Sequence, residues 1–450
     1  MRPTPTVPTR PTPTAPTPTE PTPPTRLTPP TRPTARTPTA PTPEQLTTTD
    51  LARIVGEVGP FLRDHWTRAP FHRLGADDGG FGDLFSLDDV DHLIASTFLR
   101  VPALRLVRDG TPLAPSEYTR TSRLGSRPLT DVVHPGRVYE RFRTGATIVL
   151  QGLQRYWPPL SGLARQLEVE LTHAVQVNAY VTPPSARGLA VHYDTHDVFV
   201  LQVAGSKAWT VHEPVFEDPL ATQPWSKGRG TPGPPTLEVT LHPGDSLYIP
   251  RGFPHSARAQ HGISAHLTIG VVTTSWAEVL RSALDGIDDQ VEFRRALPPG
   301  WVDDNDAARD ELIQAVSEHL EQLRSWLEKV DAGVVAAGAS RRFWAGRTPP
   351  LEGQLGQLAL LDSIDDSTVL RRRPGAVCVV EVGEDRLDIV LGDRVVKLPV
   401  ELEEVVRILV GAGAGGVRVG DLDALLDAPS RLVLGRRLVR EGLLEIVVDG

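Results

Sequence analysis

Between Val175 and Thr274 the chain passes through short β-branched runs with turns between them: VQVNAYV, VFVLQVAG, AWTVHEP, LEVTLHPGD, SLYIP and AHLTIGVV. Many strands this short and this closely spaced argue for a β-sandwich or barrel. A polar insertion rich in Pro and Gly, Glu217–Pro235, interrupts the series as a long loop, the kind that is functional or disordered in compact domains.

This β-rich region also holds the residues with the clearest chemistry. In VHYDTHDVF (Val191–Phe199), His192 and Asp194 lie two apart, so an extended strand projects both to one side. A third imidazole, His255, closes the segment PGDSLYIPRGFPH. Two imidazoles and one carboxylate leave open positions on a metal, the ligand set expected for non-haem Fe(II) and its oxygen chemistry. With 13 histidines in the chain, a His-x-Asp pair alone would be a weak signal. The surrounding pattern strengthens it. The apolar strand Val198–Val203 follows the pair, Gly244–Asp245 supplies a tight turn, and Gly252 frees the backbone ahead of His255. Lys207 follows after one further strand, across Gly205. His196 would share a face with Asp194 on a regular strand and is read as a pocket residue. His212, His242 and His261 are read as surface or loop histidines.

The rest of the chain frames this region. Residues 1–44 alternate Pro with Thr, a composition that forbids helix and sheet and predicts a disordered, polyproline-like tail. Helical spacing begins at Leu51, after a cap at Thr49–Asp50, and continues to Leu62. Ser86–Leu93 reads as a capped helix, Val101–Val107 as a strand before an Asp109–Gly110 turn, and Leu160–Leu171 as a helix with one leucine stripe. After Trp276 an apolar stripe runs from Leu312 to Val330, which predicts a helical linker that could serve as a dimer contact. Strands are expected at Ala376–Val382, Leu387–Leu391 and Val395–Leu398. Helices follow at Pro399–Val410, Val419–Leu426 and Ser430–Glu441, then a strand at Leu444–Val448. This C-terminal order is winged-helix-like. Residues 331–450 nevertheless sum to −4, which argues against a basic DNA reader despite Arg436, Arg437 and Arg440.

The formal charge of −9 gives no general affinity for nucleic acid or anionic membranes. The single cysteine, Cys378, excludes an internal disulfide and fits a reducing compartment. No apolar run approaches the roughly 20 residues of a membrane span, and no secretory h-region is present. A cytoplasmic protein is expected.

The run NAYVTPPSARGLAVHYDTHDVFVLQVAGSKAW, with PGDSLYIPRGFPH, resembles the JmjC-type cupin oxygenases of the ribosomal oxygenase family. FLRDHWTRAP, LFSLDDVDHLI and VPALRLVRDG look like that family's N-terminal part, so the likeness covers roughly 50–280. It implies a mainly β fold with α elements: a double-stranded β-helix, or jelly roll, over 45–275. A helical linker or dimerisation segment (276–345) and a winged-helix-like domain (350–450) would follow. It implies Fe(II) on His192, Asp194 and His255, 2-oxoglutarate as cosubstrate with O2, and Lys207 paired with the distal carboxylate of 2-oxoglutarate. A buried dianion requires such a partner on physical grounds as well. Asn178, Tyr180 and Thr268, with His266, would touch the cosubstrate or the metal's surroundings. The implied reaction is hydroxylation of a protein side chain, an arginine or histidine of a ribosomal protein, by a homodimer. Demethylation, a peptide or small-metabolite substrate, or a non-catalytic scaffold are the other readings.

Overall fold

The computed structural model describes residues 50–448 except 76–79, 187–189, 227, 229, 298, 303–304 and 414. The expected tail over 1–44, and Thr49 of the expected cap, lie outside the described residues. Helical residues begin as two short helices rather than one, α1 (Asp50–Val55) and α2 (Val58–Asp64), with the break at Gly56. Strand β1 (Phe71–Arg73) follows, then α3 (Leu87–Ser96). The Ser86 side chain and the Asp89 side chain cap each other's backbone at the start of α3, satisfying two otherwise orphaned donors. Strands β2 (Leu104–Arg108) and β3 (Thr111–Pro112) flank the Asp109–Gly110 turn. The ribbon β4 (Thr119–Leu124) and β5 (Arg127–Val133) comes next, then α4 (Pro135–Arg143), β6 (Thr147–Leu150) and α5 (Pro158–Leu171).

The barrel strands are β7 (Ala174–Thr182), β8 (Asp197–Ala204), β9 (Lys207–His212), β10 (Pro235–Leu241), β11 (Ser246–Ile249), β12 (His255–Ala259) and β13 (Ser264–Val272). They divide between two antiparallel sheets. The large one runs β1-β11-β8-β13-β7-β6-β2-β3 and the small one β10-β9-β12. An isolated bridge between His192 and His255 adds one more rung to the small sheet. Along the chain the rungs therefore fall large, small, large, small, small, large, small, large, which is the winding of a double-stranded β-helix.

Strand alternation sorts the side chains. Val177, Ala179, Val181, Phe199, Leu201, Tyr248, Leu267 and Ile269 leave the barrel and pack with Leu160, Leu163, Leu167 and Leu171 of α5 and with the N-terminal helices. Each such leucine, wholly removed from water, contributes roughly 1.5–3 kcal/mol. Val198, Val200, Trp209, Val211, Leu241, Leu247 and Ile249 fill one half of the interior. The other half, next to β7 and the far end of β13, is polar.

Beyond the barrel lie α6 (Trp276–Ala283), α7 (Asp306–Leu327), α8 (Ala332–Ala345) and α9 (Gln354–Ala359). The C-terminal region has its own core and two small sheets. One orders β18 (Val417–Arg418), β14 (Val369–Arg372) and β19 (Leu444–Ile446); the other orders β15 (Cys378–Val382), β16 (Arg386–Leu391) and β17 (Arg394–Pro399). Helices α10 (Glu403–Gly411) and α11 (Ala428–Arg440) pack against them. The helix expected at Val419–Leu426 is only a 3-10 turn, Val419–Leu422. Arg436 directs its guanidinium at the carbonyls of Leu361 (3.0 Å) and Ile364 (3.1 Å), so it buttresses this core. Among the described residues no helix is long and apolar enough to cross a membrane.

Candidate metal centre

The expectation of a regular strand through His192 and Asp194 needs correction, because residues 191–196 hold only the one bridge and are otherwise irregular. Convergence comes from neighbouring backbone instead. His192 and His255 exchange two hydrogen bonds, His255 N to His192 O at 2.8 Å and His192 N to His255 O at 3.3 Å. The amide of Gly252 donates to Asp194 O at 3.0 Å. Gly252 sits at φ +84°, and a Cβ there would stand 2.4 Å from the Phe216 carbonyl oxygen. No other residue fits that turn. Gly252→Ala is expected to cost at least about 1–2 kcal/mol from the left-handed backbone alone. It should also displace Asp194; a melting curve and a metal titration that both match wild type would contradict this.

The three side chains meet at one point. One ligand atom from each of His192, Asp194 and His255 lies within 4.8 Å of the others. His192 Nε2 stands 3.7 Å from Asp194 Oδ1, and His255 Nε2 stands 3.6 Å from Asp194 Oδ2. Both separations exceed an ordinary hydrogen bond of about 2.7–3.2 Å. The far nitrogens are engaged: His192 Nδ1 meets the Ala190 carbonyl at 2.8 Å and His255 Nδ1 meets the Phe253 carbonyl at 3.0 Å. A carbonyl only accepts, so each Nδ1 carries the proton and each Nε2 turns a bare lone pair toward the shared centre. This is the tautomer a metal requires.

The electrostatics agree. Burial, with His192 nearby, pushes His255 down to about 4, so it is a neutral ligand at physiological pH. Burial would raise the Asp194 carboxyl, but the imidazoles of His255, His192 and His196 outweigh it and hold the group below its ordinary value. The donor set is thus two imidazole nitrogens and one anionic oxygen on one side of a cavity, which fits a divalent cation with free positions.

Deeper in the barrel, Lys207 is 2% exposed. Its Nζ donates to Thr182 Oγ1 at 3.1 Å and lies 5.9 Å from the Trp209 ring centre. It forms no ion pair among the described residues, and burial lowers its ammonium to about 7. A buried cation without a counter-ion is a site for an anion. Tyr180 stacks on His266 with ring centres 5.2 Å apart and planes within 5°. His266 is buried, is driven well below its usual value by burial and the nearby Lys207, and among the described residues has no partner for Nδ1. Burial and the Asp194 charge raise the Tyr180 phenol, whose partner is Arg105 of β2. Asn178 Oδ1 already accepts from Gly152 N at 3.0 Å, so its role is partly in the scaffold. Thr268 is half-buried and registers between Asn178 and Val200. His196, half-buried near Asp194, leaves Nδ1 without a partner among the described residues, while His242 and His261 are exposed. His212 Nδ1 meets the Gly233 carbonyl at 2.7 Å, a loop contact.

Sequence reasoning missed Thr182, Trp209 and Arg105. The first two were within its reach, since each continues the alternation of a chosen residue (Tyr180 and Lys207). Arg105 was not, because its place follows from β2 pairing with β6 and β6 with β7.

This geometry defines a double-stranded β-helix with a candidate metal centre, and it can be set beside known proteins. Residues 155–279 match the JmjC domain. The chain is 31% identical to chicken (Gallus gallus) ribosomal oxygenase 1 over 248 residues, covering 53% of this chain and 40% of that protein. It is 28% identical to the bifunctional lysine-specific demethylase and histidyl-hydroxylase NO66 of Drosophila pseudoobscura pseudoobscura over 245 residues, or 53% of this chain and 25% of that one. Among solved structures it resembles YcfD, a ribosomal oxygenase from Escherichia coli in complex with cobalt and 2-oxoglutarate. That match has a TM-score of 0.49 and 19% identity over 88% of this chain and 99% of YcfD. Residues 155–279 thus match a JmjC domain, and the chain is similar to ribosomal oxygenases over about half its length. It spans well under half the length of the curated relatives just named.

Proposed function

We propose that this protein is an Fe(II)- and 2-oxoglutarate-dependent dioxygenase that hydroxylates a side chain of a ribosomal protein, an arginine or histidine. The observation that carries the reading is the pairing of two features in one barrel. His192, Asp194 and His255 aim three free donor atoms at one point, and Lys207 waits uncompensated in the same interior.

His192, Asp194 and His255 would hold Fe(II), which when bound supplies the oxygen activation that couples decarboxylation of 2-oxoglutarate to substrate hydroxylation. The chain's own contribution is placement. The Ala190 and Phe253 carbonyls fix the two imidazole rings. Lys207, steadied by Thr182, would neutralise the distal carboxylate of 2-oxoglutarate. Tyr180, His266, Thr268 and Asn178 line the polar half of the interior beside it, and Trp209 with its apolar neighbours excludes water from the other half. Release of labelled CO2 from 2-oxoglutarate, dependent on added Fe(II), tests the chemistry. Intact masses of ribosomal proteins with and without the gene test the substrate; no species heavier by one oxygen atom would refute the ribosomal assignment. The same chemistry on another substrate, such as demethylation, is the second reading, and the relative described as both demethylase and hydroxylase favours keeping it.

We further propose a cytoplasmic homodimer built on 276–345, with the winged-helix-like region 350–450 in a structural or partner-binding role. Among the described residues the apolar stripe of α7 is only partly covered: Leu320 is 60% exposed, and Trp276 on α6 is 81% exposed. Light scattering is expected to give twice the chain mass, and Leu320→Glu with Trp276→Glu to give one. A wild-type monomer at micromolar concentration contradicts this.

A further inference from the structure

Between Arg100 and Arg143 the chain carries nine arginines and no lysine against four carboxylates, although its formal charge overall is −9. The centre of this stretch is the β4–β5 ribbon, a two-stranded sheet that joins neither barrel sheet. Arg120, Arg123 and Arg127 are exposed on it and form no ion pair among the described residues. Across its tip Leu124 pairs with Arg127 and Arg123 with Pro128, so cationic side chains stand on both faces. Two strands alone are marginally stable in water, and unshared like charges weaken them further. A ribbon of this composition is suited to an anionic partner rather than to packing.

Strand β2 links it to the candidate metal centre, with the two at opposite ends of that strand. The root of the ribbon bridges Val132 to Arg100, just ahead of β2. At the other end of β2 the Asp109–Gly110 turn packs on Ala190, where a Cβ on Gly110 would stand 3.0 Å from the Ala190 Cβ. Ala190 is the residue whose carbonyl orients the His192 ring. One edge of the large sheet thus carries both the arginine ribbon and the support of a metal-ligand candidate.

Arginine's planar fork matches phosphate in a bidentate way, and a side chain of a ribosomal protein lies among RNA phosphates. The tip offers one exposed leucine, Leu124, and no apolar face that could enter a membrane. We infer that the β4–β5 ribbon is an RNA-docking arm that grips backbone phosphates at the β2–β3 edge of the large sheet, an inference that rests on the ribosomal-substrate reading above.

The test is fluorescence anisotropy of a fluorescein-labelled ribosomal RNA stem-loop across a KCl series, with the full chain and neither metal nor 2-oxoglutarate. Arg120→Gln/Arg123→Gln/Arg127→Gln is expected to weaken binding about tenfold or more at low salt. It should also flatten the slope of log affinity against log salt by about 2–3, one phosphate per arginine. Arg386→Gln/Arg407→Gln/Arg418→Gln removes the same charge elsewhere and should leave both values unchanged. Equal loss in both variants, competition by polyglutamate as effective as by unlabelled RNA, or no wild-type binding would overturn the arm. Because the assay needs no oxygen chemistry, the two readings fail separately. A chain that consumes 2-oxoglutarate but ignores RNA loses only the arm, and one that binds RNA without turnover loses only the oxygenase assignment.

Discussion

Asp194→Ala will lower Fe(II)-dependent turnover of 2-oxoglutarate by at least about a hundredfold, with the fold intact. The carboxylate is the one anionic donor of the three, and without it two neutral imidazoles face a divalent cation alone. The fold should survive because the backbone contact, Gly252 N to Asp194 O, does not involve the side chain. The carboxylate itself sits 3.6–3.7 Å from its imidazole neighbours, beyond hydrogen-bonding distance. Asp194→Asn should lose turnover too, since it keeps the shape and removes the charge. Circular dichroism melts establish integrity and labelled CO2 release reads the loss. Residual turnover near wild type in either variant would sink the metal-centre assignment.

The second large effect is Lys207→Met, and it has two signs. Burial lowers the ammonium from an ordinary 10.5 to about 7, a gap worth about 5 kcal/mol against the charged form. Below pH 7 folded and unfolded chains both hold this proton and the full penalty stands. Between 7 and 10.5 the unfolded chain holds it and the folded chain does not. The protein free of cosubstrate therefore gains stability as pH rises through that window. Methionine fills similar space without charge, so the variant should be more stable than wild type by about 1–3 kcal/mol at pH 6, the shortfall reflecting the lost contact to Thr182. The advantage should fade by pH 10. The same substitution removes the counter-ion of a dianion and is expected to raise the KM for 2-oxoglutarate at least about thirtyfold. Urea titrations at the two pH values read the first effect and initial rates the second. An unchanged KM would show that the cosubstrate carboxylate binds elsewhere.

The parts of this molecule that could be read from residues alone are those set by local periodicity. The β-branched runs between Val175 and Thr274 became strands β7 to β11 and β13, within a residue or two apart from the HPGD end of the β10 run, because period-two alternation and glycine turns act over short range. The capping box at Ser86 is equally local. Strand β12 was missed because HSARA has no β-branched residue and exists as a strand through pairing with β9. The ribbon β4–β5 was missed for its lack of an apolar face, and β6 because four buried residues cannot be told from a helix fragment by pattern. At the candidate metal centre, His-x-Asp spacing pointed to side chains that do converge with His255, though for a partly wrong reason. The expected strand is one bridge long, and what brings His192 and Asp194 to His255 is backbone on β12 and the Gly252 turn. Residue types are visible in a sequence; long-range hydrogen bonds are not.

That single bridge has a mechanical corollary. Two of the three donors ride on a short span of chain fastened at one end by the pair of backbone hydrogen bonds to His255 and at the other by the hydrogen bond from the Gly252 amide. A cation gripping all three donors would rivet this span to β12, so part of its affinity is consumed in suppressing the span's own fraying. Amide exchange at residues 191–196 should therefore slow on metal loading far more than exchange in β8 or β13, which are already fully laddered. The barrel is a finished frame, and the ion is its last fastener.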